Sequence, residues 1–176
     1  MWTLSATKKS LISACLVTVG LILGYLEHVF LPLPFWGLKI GLSNLPLLFA
    51  LCFLRADYVY TIGFSKAVLS GVLFSGLTSS LYSCAGIFLA VSVMLCVKKT
   101  KKCSIIGVSV AGSGMFQVGQ TLVACFLLSS DAPLFYLAYL LIGSVPCGII
   151  SAVLVKWIGA RLRFFKEYID ETEIKS

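Results

Sequence analysis

Long apolar stretches separated by short polar segments run through the whole chain. Three of these stretches, residues 67–97, 103–130 and 132–155, contain no charged side chain. Each is longer than the roughly 20 apolar residues that an α-helix needs to cross a lipid bilayer. The pattern therefore predicts an all-α integral membrane protein.

Turn signals between the apolar stretches divide the chain into six predicted transmembrane helices in a single membrane domain, residues 1–176. The signals are a proline-rich segment, a charged Arg-Ala-Asp step, a Thr-Ser-Ser sequence at 78–80, a lysine cluster and a Ser-Ser-Asp-Ala-Pro sequence. The predicted helices cover about 10–30, 44–54, 58–77, 81–97, 104–128 and 133–158, and a cytoplasmic tail follows at 159–176. Gly20 and Gly24 in the first helix have the spacing that allows another helix to approach closely.

Composition and charge fix the class of protein and its orientation. The content of 59% hydrophobic and 12% charged residues excludes an ordinary soluble domain. The net charge of +7 comes from lysines and arginines between and after the apolar stretches, which is typical of cytoplasmic loops and not of a nucleic-acid-binding surface. An even number of helices then places both termini in the cytoplasm. The seven cysteines lack CxxC spacing and are interpreted as packing residues, so no metal site is predicted.

The segment before the second helix is unusual because it contains Gly37, Lys39 and Gly41. Ser43 or Asn44 is predicted to cap that helix, and a proline follows in its first turn. The helix covers only about 20 Å, whereas a bilayer core is about 30 Å thick. The Gly-Lys-Gly segment is therefore predicted to be a re-entrant loop between helices 1 and 2, a place where a lysine and a helix N-terminus can hold an anion.

Polar side chains concentrate in the outer half of the predicted bundle. Lys39 and Lys66 outnumber the single carboxylate of Glu27, so the pocket that they outline is net positive. We predict that it captures a small anionic or phosphorylated solute from the outer side. The predicted substrate-binding residues are Glu27, Trp36, Gly37, Lys39, Gly41, Asn44, Lys66, Ser83, Gln117 and Gln120.

Several of these residues have a structural interpretation that the sequence leaves open. Glu27 could mark the membrane interface, Gln117 and Gln120 could form hydrogen bonds between helices, and Lys66 could extend to the cytoplasmic interface. No nucleotide-binding P-loop is present and the aspartates are isolated. The sequence therefore predicts no catalytic residue, no enzyme activity and no permanently bound cofactor.

Residues 37–44 resemble the G-x-K-x-G-L-x-N signature of the Gx transporter family, which has long been labelled heptaprenyl diphosphate synthase component I. Ser83-Cys84-Ala85-Gly86, residues 107–112 and Gly119-Gln120 extend the resemblance, which covers about 20–155. Phe116-Gln117 stands where the resemblance leads us to expect a His-Asn pair.

The resemblance implies a bundle similar to the substrate-binding S component of energy-coupling-factor transporters in the bacterial cytoplasmic membrane. It implies vitamin uptake, with a flavin such as FMN or FAD as the transported ligand. The implied partners are the lipid bilayer, the solute, and a transmembrane coupling subunit with ATPases. Two alternatives remain: a non-catalytic accessory subunit of a heptaprenyl diphosphate synthase, and a scaffold of a flavin-based membrane redox system.

Overall fold

A computed structural model of the protein describes residues 6–30, 44–100 and 103–161. These residues form six α-helices and one short π-helical segment, which confirms the predicted all-helical class. The elements are α1 (Ala6–Phe30), α2 (Leu45–Phe53), α3 (Ala56–Ser70), the π-helical segment (Gly71–Ser75), α4 (Gly76–Lys99), α5 (Ile105–Leu128) and α6 (Ala132–Arg161). The predicted re-entrant loop and the tail after 161 lie outside the described residues.

Four of these helices are long and apolar enough to cross a membrane. The qualifying stretches are Lys9–Leu26 in α1, Gly76–Lys99, Ile105–Leu128, and Ala132–Gly159 in α6. Large apolar side chains remain exposed on their outer faces, and Phe126 and Phe135 are 83% and 84% exposed. Such a surface suits contact with lipid chains and would favour aggregation in water. The long apolar helices and their exposed apolar faces are therefore those of a membrane protein.

The short helix α2 lies at the centre of the bundle. It has 9 residues, which makes it about 13 Å long. It contacts α1, α3 and α6, and Leu47, Leu48, Ala50 and Leu51 are at most 2% exposed. The prediction that this helix is too short to cross a bilayer is confirmed, and its buried side chains form part of the core beside α1, α3 and α6.

The start of α2 differs from the prediction in one respect. Pro46 lies in the first turn, as expected, because a proline there removes an N–H that has no helical partner. Asn44 occupies the N-cap position, but its side chain makes no capping hydrogen bond. The amide oxygen accepts a hydrogen bond from Lys66 instead. A tertiary contact thus replaces the local cap.

The chain reverses between α3 and α4 at Gly76, earlier than predicted. The predicted turn at 78–80 and the predicted start of the fourth helix at 81 are both wrong, because α4 begins at Gly76. Gly76 has φ of 80°, a conformation that glycine adopts without strain. Ser80 lies buried in α4, and its hydroxyl donates to Ala67 O across the α3–α4 contact. One of the two serines that suggested a turn therefore joins two helices.

The helices α4 and α5 cross at a contact between two glycines. A Cβ atom added at Gly119 would lie 2.7 Å from Gly86 Cα and 2.8 Å from Ala85 O. Only hydrogen side chains allow the two backbones to approach this closely. On the other side of α5, Ser109 and Ser113 donate to the backbone of α6 at Gly148 O and Ser144 O, over 2.7 Å and 3.0 Å.

Lys98 of α4 holds the C-terminal end of α2. Its Nζ donates to Leu51 O over 2.6 Å, and that carbonyl belongs to the last turn of α2, where carbonyl groups have no helical N–H partner.

Substituting Lys98→Met is expected to lower the free energy of unfolding by about 1 to 3 kcal/mol, because the buried carbonyl loses its donor. Thermal unfolding in detergent measures this effect. The exposed Lys99 provides the control, since Lys99→Met should change stability by less than about 0.5 kcal/mol. Equal melting temperatures for the two variants would contradict the role of Lys98.

Candidate functional site

Lys66 is a buried lysine on the face of α3 that is directed into the bundle. It is 7% exposed, and its Nζ donates to Asn44 Oδ1 over 2.9 Å. Its aliphatic stem lies against Gly20 of α1, where an added Cβ would come within 2.9 Å of Lys66 Cδ. The Lys66 ammonium group is thus held between helices by Asn44 and is not extended into solvent. One lysine connects three helices.

A small cavity adjoins Lys66 and lies among three of the candidate membrane spans. Its volume is about 10 Å³, which is the room that one water molecule needs. Phe116, halfway along α5, closes one side of it, so the cavity lies near mid-depth in that span. The lining residues come from α1 (Gly20, Gly24), α3 (Lys66, Ala67, Ser70), α4 (Ser83, Ile87) and α5 (Phe116).

Two buried polar atoms near this cavity have no hydrogen-bond partner within the described part of the chain. They are Ser83 Oγ, which belongs to a lining residue, and Gln120 Oε1, one helical turn beyond Phe116 on the same face of α5. Their residues are 3% and 2% exposed. A buried polar atom without a partner costs about 1 to 3 kcal/mol, so each such group calls for an explanation. A bound molecule or an ordered water would supply the missing partners.

The electrostatic character of the site follows from its donors. An ammonium group and the hydroxyls of Ser70 and Ser83 surround the cavity, and the nearby aliphatic and aromatic side chains exclude bulk solvent. A charge acts more strongly in such a low-dielectric environment than in water. We name the cavity and its lining residues, together with Asn44, the polar site. Its donors suit an anionic or phosphate-bearing group.

The structure brings together some of the predicted binding residues and not others. Asn44, Lys66 and Ser83 meet at the polar site. Gln117 and Gln120 are buried in α5, 3% and 2% exposed, but they do not line the cavity. Four predicted residues lie outside the described residues: Trp36, Gly37, Lys39 and Gly41. Glu27 lies in α1, but its side chain is outside the described part.

Six of the eight residues that line the cavity were not predicted as binding residues, among them Ser70, Gly20 and Gly24. Ser70 lies one helical turn after Lys66 on the same face of α3, and this spacing could have identified it. Gly20 and Gly24 were recognised only as helix-packing residues, yet both line the cavity. Their spacing predicts close helix packing, but it does not indicate that a cavity remains beside them.

Comparison with known families agrees with the resemblance noted in the sequence. No curated protein and no solved structure matches this chain. A family model described as heptaprenyl diphosphate synthase component I matches residues 16–158, which include α2 to α5 and most of α1 and α6. Because this match covers well over half of the sequence, the chain belongs to the heptaprenyl diphosphate synthase component I family.

Proposed function

We propose that the protein is the substrate-binding subunit of a membrane transport system and that it captures a small anionic or phosphorylated solute at the polar site. The observation that carries this proposal is Lys66, a lysine that is 7% exposed beside a cavity among apolar helices. Placing an ionisable side chain inside a membrane bundle costs free energy, and such side chains commonly mark the pathway of a solute or an ion.

The unsatisfied polar atoms support the same proposal. Ser83 Oγ can donate to an anion, and Gln120 Oε1 can accept from a solute N–H or O–H group. Ser83 lines the cavity, and Gln120 lies one helical turn beyond Phe116 in α5, so a solute larger than the present cavity is proposed to reach both. A site of purely structural polar residues would be expected to pair these atoms internally.

The proposal extends to an arrangement like that of an S component. It comprises six transmembrane segments, of which α2 crosses the bilayer only together with a re-entrant Gly-Lys-Gly loop before it. Both termini lie in the cytoplasm, and the protein is located in the bacterial cytoplasmic membrane. Together, α3 and the π-helical segment are about 30 Å long, which supports a further span. On this proposal, a transmembrane coupling subunit with ATPases drives release of the solute into the cytoplasm.

A phosphorylated flavin, FMN or FAD, or a related vitamin is the solute that we propose. The Lys66 ammonium would hold the phosphate, and the Phe116 ring would provide an aromatic surface for the flavin ring system. The flavin is then the transported ligand and not a permanent cofactor, and the protein catalyses no reaction.

The family description favours a second candidate, a non-catalytic accessory subunit of a heptaprenyl diphosphate synthase. The donors of the polar site would suit a diphosphate as well as a flavin phosphate. Catalysis by this chain is not part of that candidate, because the sequence lacks the paired aspartates that hold Mg²⁺ against a diphosphate. The two candidates differ in whether prenyl-chain synthesis depends on the protein.

Ligand-dependent thermal unfolding in detergent tests the transport proposal. FMN or FAD is expected to raise the melting temperature, since a ligand at 100 times its dissociation constant stabilises the folded state by about 2.7 kcal/mol. Riboflavin, which lacks the phosphate, should stabilise less at the same concentration. Absence of any shift with the three flavins, together with prenyl-chain synthesis that fails when the protein is removed, would favour the accessory-subunit candidate.

A further inference from the structure

Gln120 of α5 is a buried polar residue whose side-chain oxygen the helix bundle leaves unused. The side chain is 2% exposed, and Oε1 accepts no hydrogen bond from the part of the chain that the structure describes. The next residue, Thr121, is just as deeply buried, but its hydroxyl donates to Gln117 O within α5 over 2.9 Å. Buried polar groups that serve only the fold are normally paired in this way. Gln120 therefore calls for a partner that the described residues do not supply.

The packing of α5 on α4 sets the depth of Gln120 in the bundle. These consecutive helices run antiparallel, and Gly119 lies against Gly86. Ser83 is one turn from Gly86, in the same direction in which Gln120 follows Gly119. With a rise of about 1.5 Å per residue, Ser83 and Gln120 differ in depth by only about 3 Å.

The packing of α4 on α3 adds Lys66 to the same level. These two helices also run antiparallel, and Ser80 Oγ donates to Ala67 O between them. Ser83 follows Ser80 by one turn, and Lys66 directly precedes Ala67, which again gives a depth difference of about 3 Å. Lys66, Ser83 and Gln120 therefore occupy one layer, about one helical turn deep, on three different helices.

The two ends of this layer have opposite hydrogen-bonding character. The Lys66 ammonium group can only donate, and Gln120 Oε1 can only accept. The Ser83 hydroxyl on α4, between α3 and α5, can do both, and its Oγ is also buried without a partner in the described chain. A phosphate or carboxylate offers oxygen acceptors, which suit Lys66 but not Gln120. An anionic group alone therefore satisfies only one end of the layer.

We propose that Gln120 is a specificity-determining residue of the polar site, which selects solutes that carry a neutral hydrogen-bond donor in addition to an anionic group. The donor is an amide, imide or hydroxyl group that bonds to Gln120 Oε1, while Lys66 holds the anionic group. This inference rests on the proposed function, because it concerns the solute of that same site. A solute without the donor leaves the buried oxygen unpaired and binds more weakly.

Stability without a solute tests whether Gln120 is needed by the fold or is available for a ligand. The variant Gln120→Met keeps an unbranched side chain of similar length and removes the unpaired oxygen. After bound molecules are washed out, its melting temperature in detergent should rise by about 2 to 4 °C, because an unpaired buried polar atom destabilises the folded state. The matched control, Thr121→Val, removes a paired hydroxyl and should give no rise. A melting temperature of Gln120→Met below that of the wild type would overturn the proposal.

Two flavins that differ in one donor test the selectivity itself. FMN has an imide N–H in its ring, and an FMN methylated on that nitrogen keeps the phosphate but lacks the donor. The wild type is expected to bind FMN at least about 10-fold more tightly than the methylated form. Gln120→Met should bind both equally, at the weaker level, whereas Thr121→Val should keep the wild-type ratio. A ratio due only to the bulk of the methyl group would persist in Gln120→Met.

The outcomes distinguish this inference from the proposed function. If FMN binds in a way that requires Lys66, but the affinity ratio of the two flavins is the same in the wild type and in Gln120→Met, the role of Gln120 is overturned and the proposed function stands. If neither flavin binds to the wild type, the proposed flavin transport fails, and the selectivity fails with it.

Discussion

The variant Lys66→Met is expected to abolish solute binding while the protein still folds. Removing a buried charged donor that faces a ligand costs about 2 to 5 kcal/mol of binding free energy, which corresponds to about a 30-fold or larger loss of affinity. Folding should tolerate the change better, because an apolar side chain of similar volume often replaces a buried charge at little cost. One penalty remains at the amide oxygen of Asn44, which loses its donor.

Two measurements separate binding from stability in this variant. Ligand binding is followed by titration of FMN, and stability by thermal unfolding in detergent, with Lys99→Met as the control lysine outside the polar site. The prediction is loss of binding in Lys66→Met only, with stability lowered in Lys66→Met by about the 1 to 3 kcal/mol that a buried acceptor without its donor costs, and unchanged in Lys99→Met. Binding that survives in Lys66→Met would show that the solute binds elsewhere.

The variant Gly119→Ala is expected to destabilise the protein strongly. Its new methyl group would lie 2.7 Å from Gly86 Cα and 2.8 Å from Ala85 O, and backbone atoms cannot rotate away as a side chain would. The helices α4 and α5 must therefore separate along their most extensive contact. Overpacking of this kind costs about 1 to 3 kcal/mol and occasionally more, and we expect the upper end of that range.

The matched control is Gly143→Ala, since Gly143 also lies inside a membrane helix but has open space beside it. Thermal unfolding in detergent should show a clear decrease in melting temperature for Gly119→Ala and no decrease for Gly143→Ala. Both variants gain the higher helix propensity of alanine, so propensity cannot account for a lower melting temperature of Gly119→Ala. Comparable melting temperatures for the two variants would mean that the close contact does not determine the stability of the α4–α5 pair.

Part of the candidate site could be predicted from the sequence because its residues break the apolar pattern. Lys66 is conspicuous as a charge beside a long uncharged stretch, and Ser83 belongs to a family-like segment. The spacing of Gly20 and Gly24 predicted close helix packing, and Gly20 indeed packs on Lys66. Residues of this kind can be identified from the sequence because their charge or small size is unusual in an apolar helix.

Other features depend on contacts that the sequence does not display. Asn44 is a favourable capping residue, yet its amide oxygen accepts a hydrogen bond from Lys66 of another helix. The serines at 79 and 80 suggest a turn, yet both are buried, and Ser80 bonds to α3. In each case a hydrogen bond to another helix replaces the locally preferred one. Turn and cap patterns in a sequence reflect local preferences only, so they could not predict these contacts.

The small size of the cavity was also beyond sequence reasoning. It results from Phe116 packing on Gly86, where an added Cβ would come within 2.7 Å of the ring, and from the approach of α1 to Lys66. These are contacts between residues distant in the chain. The sequence named Asn44, Lys66 and Ser83 among its predicted binding residues, and the packing brings these three to one small cavity.

The most direct test of the central claim, that the polar site binds a solute, is analysis of the small molecules that co-purify with the detergent-solubilised protein. Absorbance and mass spectra would be recorded for the wild type, Lys66→Met and Lys99→Met in parallel. The account predicts a phosphate-bearing compound, with a flavin spectrum if the solute is FMN or FAD, in the wild type and Lys99→Met but not in Lys66→Met. The same compound in equal amount in all three preparations, or a wild type that carries none and fails to bind added FMN, FAD and riboflavin, would contradict it.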